Sequence, residues 1–124
     1  MTIFVFGNPD LPMDALPVRL VPQLQAKFPQ HKFFVKDPNE EWDVPEQLVV
    51  IDTVKGIDQV IVFKDLSKFT AAPRLTMHDF DALTQLRLLQ KIGKLKEVTI
   101  IGVPVDIDEQ LALKMTTNAL LRLS

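Results

Sequence analysis

Five short runs of β-branched and aromatic residues set the first constraint on this chain: Ile3–Phe6, Lys32–Val35, Leu48–Ile51, Val60–Phe63 and Val98–Val103. Leu48-Val49-Val50-Ile51 and Val98–Val103 are almost continuously apolar, without the polar alternation of a strand that faces water on one side. Such strands need cover on both faces. Three helical patterns can supply it. Asp14 to Phe28 places Leu16, Leu20, Leu24 and Phe28 four apart on one face, Asp79 to Ile92 stops at Gly93, and Asp108 to Leu123 closes the chain. Pro17 fits the first turn of the first helix, whereas Pro22 removes an internal hydrogen bond and is expected to kink it. Strand–helix–strand order with buried strands predicts an α/β fold, a three-layer sandwich.

One connection refines the sheet. About eight residues, Asp52–Gln59, separate the third and fourth strands, and a parallel crossover takes a dozen or more. Strand four is therefore expected to run antiparallel in a mixed, mostly parallel, five-stranded sheet. No repeat, low-complexity segment or linker interrupts residues 1–124, which read as a single domain. The longest irregular stretches are Asp37–Gln47 and Lys64–Met77, and loops of that length in a small domain often carry function.

Composition narrows the chemistry. The chain has no cysteine, which excludes thiolate nucleophiles, disulfides, zinc ribbons and iron–sulfur clusters. Its serines are Ser67, beside Lys68, and Ser124; neither lies in the glycine-flanked turn that a Ser–His–Asp hydrolase requires. Net charge of −2, a pI near 5.6 and scattered lysines argue against a nucleic-acid partner. No apolar run approaches the ~18 residues of a membrane span. The start of the chain runs directly into the first strand with no leader pattern, so a cytoplasmic location is expected. Gly7-Asn8-Pro9-Asp10 lacks the glycines of a phosphate cradle, which disfavours a flavin or nucleotide site. The acidic stretch Asp37 to Asp43 reads as a solvated loop with Trp42 folded onto the body, and His31 reads as exposed.

In open α/β sheets the ligand site lies outside the carboxyl ends of the parallel strands. Three ionisable residues are expected there. Asp14 follows the turn out of strand one, Asp52 ends strand three, and His78 follows the excursion after strand four, in the first turn of a helix capped by Thr76. Two carboxylates and an imidazole form a plausible three-ligand metal site suited to Zn, Ni, Fe, Co or Mn. Such an ion polarises a carbonyl and activates water without a nucleophilic side chain. Each residue also has a plain structural reading: Asp14 as a helix N-cap, Asp52 as an acceptor for loop amides, His78 as a solvated first-turn residue.

The same residues carry a family resemblance. The apolar strand followed by Gly7-Asn8-Pro9, with an acid at Asp14 and the helix opening Val18-Arg19-Leu20, resembles the nickel–iron hydrogenase maturation proteases. Those proteins open with G-N-P-L-L, a small residue, D-[DE]-G-x-G and V-R-aliphatic. Leu48-Val49-Val50-Ile51-Asp52 matches their strand-ending aspartate. His78, with Thr76 two residues before it and Leu83, Leu86, Leu88 and Gly93 after it, matches their histidine. The resemblance implies an endopeptidase that removes a C-terminal extension from a hydrogenase large-subunit precursor. Its metal would be nickel carried in by the substrate, with zinc or cadmium as substitutes in vitro. Asp14, Asp52 and His78 would be its catalytic metal ligands, and Asp37 and Asn8 would position substrate. The chain departs from the pattern at Met13, where the family has the first acid of its pair, and at Ala15 and Pro17, where it has glycines. The family's Asp-Gly-Gly-Thr loop appears as Asp37-Pro38-Asn39-Glu40. These changes leave a non-catalytic homologue that binds metal or a protein as the alternative.

Overall fold

In the computed structural model the strands are β1 (Thr2–Phe6), β2 (Lys32–Lys36), β3 (Gln47–Val54), β4 (Ile61–Phe63) and β5 (Glu97–Pro104). The helices are α1 (Leu16–Lys27), α2 (residues 85–91) and α3 (Glu109–Leu123). The structure describes residues 1–12, 14–37, 40, 42–64 and 85–123. His78, and the first part of the helix expected from Asp79, lie outside them.

The strand order is β2-β1-β3-β5-β4. The β1–β2, β1–β3 and β3–β5 ladders are parallel, and β4 runs antiparallel to β5 with Val62 opposite Ile101. The short connection after β3 therefore has the consequence expected of it. Two apolar layers sandwich the sheet. On one face Leu16, Leu20 and Leu24 from α1, with Phe28 just after it, meet Ala112, Ala119 and Leu120 from α3 over Ile3, Val5, Ile51 and Ile101. On the other, Leu86 of α2, Leu95 and Trp42 cover Phe4, Phe6, Val50 and Ile100. Alternate residues of β1, β3 and β5 thus enter opposite cores, which is why β3 and β5 are apolar nearly throughout.

Local chemistry sets the element ends. Pro17 lies at the start of α1, where a missing N–H costs nothing, and the helix continues through Pro22. Asp108 precedes α3 rather than beginning it: its carboxylate accepts the Leu111 N–H at 3.0 Å. Gly93 has φ of +83° just beyond α2, while the N–H of Lys94 reaches back to the Leu89 carbonyl. That left-handed step makes glycine the favoured residue there. Trp42 is buried against Phe4 and Phe6, as read from the sequence, and its indole N–H donates to the Asp37 carbonyl at 2.9 Å.

His31 corrects the sequence reading. It is buried, 6% exposed, because its ring stacks on Phe28 while the Met1 amine approaches Nδ1 at 3.1 Å. Burial, and secondarily the Met1 ammonium charge, lower its pKa below the usual 6.5. The unfolded chain therefore takes up a proton at higher pH than the folded one. The contribution of His31 to stability is full above pH 6.5 and is lost as pH falls from there toward the lowered folded value. Thermal melts across this window should show a decline for the wild type that is shallower in His31→Asn. Equal slopes would show that His31 does not govern it.

Candidate active site

The parallel order creates one break in direction. From β1 the chain crosses to β2 on one side, and β5 lies on the other side of β3, so the β1/β3 boundary is where the winding changes sense. Chains leaving the carboxyl ends of β1 and β3 diverge there, which in open α/β sheets is where the ligand crevice forms. The β1–β3 ladder ends at Val5 opposite Ile51, whereas β3 remains paired with β5 as far as Val54 opposite Pro104. Asp52 is therefore not the end of its strand. It is the first residue of β3 past its pairing with β1, at the lip of the crevice.

The loop from β1 brings the second carboxylate to this place. Asn8 Oδ1 accepts the Asp10 N–H at 2.9 Å, and the Asn8 carbonyl accepts the Leu11 N–H, forming a tight turn. The Asp14 N–H then bonds to the Leu11 carbonyl at 2.9 Å. Gly7 permits the approach: a Cβ there would lie 2.5 Å from the Asp14 carbonyl oxygen. Asp14 is 8% exposed and is not the N-cap of α1; Ala15 occupies that position without a side-chain cap. Its Oδ2 accepts the Asn8 N–H at 2.9 Å, and its Oδ1 accepts the Thr53 hydroxyl at 2.9 Å.

Asp52 is 3% exposed, and its Oδ1 accepts the N–H of Thr53 at 2.8 Å. Its role as an acceptor for a backbone amide, one of the plain readings of the sequence, is real. That bond takes one of the roughly four acceptor positions a carboxylate offers. Strand alternation turns Thr53 toward α1 and Asp14, and Asp52 toward the layer of Val50, Val54 and Trp42. Opposite Asp52 on β5 stands Gly102, where the space for a side chain is taken by Val54 and Phe63.

The structure thus links Asp14 and Asp52 through Thr53, a residue that sequence reasoning passed over. The signal available was a hydroxyl directly after the aspartate, but only the folded β1 loop shows what it meets. Asn8 belongs to the same loop. Asp37 is exposed just after β2, at the carboxyl edge of the neighbouring strand. Its backbone closes a small turn with Glu40, whose Oε1 accepts the Asp37 N–H at 3.1 Å. Among the described residues no group of three or more His, Cys, Asp or Glu side chains is placed to hold a metal ion. Asp14 and Asp52 nevertheless offer buried carboxylate oxygens of the hard type that divalent ions accept.

The arrangement defines a three-layer α/β domain whose polar site lies at the switch point, built from one carboxylate on the β1 loop and one on β3. A family model for hydrogenase maturation proteases, HycI, matches residues 30–123. The chain belongs to that family. Asp52 and His78 fall within the matched span, and Asp14 precedes it. Among solved structures, the [NiFe] hydrogenase maturation protease HybD from Thermococcus kodakarensis superposes with a TM-score of 0.75 at 18% identity, over 98% of this chain and 97% of that one. The hydrogenase maturating endopeptidase HybD from E. coli gives 0.64 at 19% identity, over 100% and 94%. An uncharacterized protein from Wolinella succinogenes gives 0.63 at 11%, over 98% and 94%. At these identities the likeness is one of fold, and it includes the mixed five-stranded sheet. No curated protein matches the chain by sequence. No helix among the described residues is long and apolar enough to cross a membrane.

Proposed function

We propose that this chain is an endopeptidase that removes a C-terminal extension from a hydrogenase large-subunit precursor. Nickel already bound in the precursor is the recognition element. The observation that carries the reading is the pair of buried carboxylates, Asp14 and Asp52, tied together through Thr53 at the switch-point crevice of a hydrogenase maturation protease domain. With His78 they supply two hard oxygens and one imidazole nitrogen to the substrate's ion. An ion bound there would polarise the scissile carbonyl and activate water. The protein's own residues would orient it: Asp14 from the β1 loop, Asp52 from β3, and His78, which follows β4 in the sequence. Asp37 and Asn8, on the loops after β2 and β1, contact the substrate strand. The setting is cytoplasmic.

Incubating a nickel-loaded large-subunit precursor with this protein should lower the precursor's intact mass by that of its extension. A nickel-free precursor should stay whole. Unchanged mass in both samples would overturn the proposal.

One feature favours a second reading, a homologue that binds metal or protein without cutting. Ala15, Leu16 and Pro17 are all buried, so the segment that is glycine-rich in the family pattern is here a packed helix start. A nickel-dependent rise in melting temperature without any cleavage would support this reading over the first.

A further inference from the structure

The geometry points to Thr53 as the positioning residue of the site, and we infer that it sets the orientation of the Asp14 carboxylate toward the substrate's metal. This rests on the reading above, in which Asp14 and Asp52 ligate that metal. Thr53 is 1% exposed and serves both acids by different groups. Its backbone N–H donates to Asp52 Oδ1 at 2.8 Å, and its hydroxyl donates to Asp14 Oδ1 at 2.9 Å. The second bond spans 39 positions of sequence and ties the β1 loop to β3 across the crevice.

Asp14 belongs to a loop rather than to a strand, so the lattice of the sheet does not hold its side chain. Hydrogen bonds from described residues reach both of its oxygens. The Asn8 N–H on Oδ2 comes from the same loop and moves with it. The Thr53 hydroxyl on Oδ1 comes from the rigid sheet, and it fixes the carboxylate in the frame that also carries Asp52. A carboxylate held by a buried hydroxyl has fewer orientations to lose when it meets an ion. Partners of this kind commonly alter metal affinity or activity by about 10- to 100-fold when removed.

The two bonds can be separated. Thr53→Val keeps the shape of the side chain and the backbone N–H to Asp52 but removes the hydroxyl donor to Asp14. Thr53→Ser keeps both donors. Nickel or cadmium titration of the purified proteins should show affinity about 10- to 100-fold weaker in Thr53→Val and within about threefold of wild type in Thr53→Ser. Processing of the nickel-loaded precursor should follow the same order, with melting temperatures measured for each. If Thr53→Val unfolds, Thr53→Ala with Thr53→Ser makes the same comparison.

Wild-type affinity and processing in a folded Thr53→Val would overturn the assignment, as would equal loss in Val and Ser. Asp14→Asn serves as the control for the underlying reading. If that variant also binds and cuts like wild type, the reading of the site has failed. If it alone is inactive, only the role of Thr53 has failed.

Discussion

Asp52→Asn and His78→Ala are expected to leave a nickel-loaded precursor at its original mass under conditions in which the wild type trims it completely. The loss should exceed roughly a hundredfold, since even removing residues that only support metal ligands costs about 10- to 100-fold. The expectation follows from where Asp52 lies. It is buried at the lip of the crevice, just beyond the β1–β3 ladder, and β5 opposes it with a glycine. Asparagine is nearly isosteric, and its amide oxygen can still accept the Thr53 N–H that Asp52 Oδ1 accepts at 2.8 Å. What it lacks is the negative charge and the second carboxylate oxygen. Asp52→Asn should therefore fold, with a melting temperature near that of wild type, and fail in processing. His78→Ala removes the nitrogen donor in the same assay. Complete trimming by both variants would refute the assignment of these residues as ligands.

The fold was readable from sequence where burial leaves a strong trace. The uninterrupted apolar runs of β3 and β5 identified a sheet covered on both faces, and the short connection after β3 determined the direction of β4. Part of the candidate site stands out in the sequence for a related reason. An aspartate embedded after Leu48-Val49-Val50-Ile51 is out of place unless something requires it. What could not be read depends on contacts distant in sequence. Asp14 has the sequence context of an N-cap, and its true partners emerge only because Gly7 lets two segments touch. Thr53 suits any strand, so nothing local marks its bond to a residue far upstream. His31 sits between polar neighbours and looks exposed, yet Phe28 and Met1 enclose it. Periodicity reports which face is buried; it does not report which polar groups meet there.

Gly7→Ala should cost both stability and function, because one backbone contact supports both. Gly7 does not need a left-handed conformation; it needs the absence of a side chain. A Cβ at this position would stand 2.5 Å from the Asp14 carbonyl oxygen and 3.0 Å from Val18 Cγ2. The nearer obstacle is backbone, so no rotamer change relieves it, and the loop carrying Asn8 and Asp14 must move away from β1. Overpacking of this kind costs about 1–3 kcal/mol, or roughly 4–12 °C of melting temperature for a domain of this size. The displacement also stretches the Asn8 and Thr53 bonds to Asp14, so metal affinity and processing should fall in the folded fraction. Gly102→Ala provides the comparison. Its Cβ would meet Val54 Cγ2 at 2.9 Å and Phe63 Cε2 at 3.2 Å, both of them side-chain atoms that can shift. That variant should melt closer to wild type than Gly7→Ala. Thermal melts of the two, with nickel titration of Gly7→Ala at a temperature where it remains folded, check both parts. A Gly7→Ala protein with wild-type stability and affinity would show that the loop yields freely, and that the close packing of Gly7 on Asp14 does not hold the carboxylate in place.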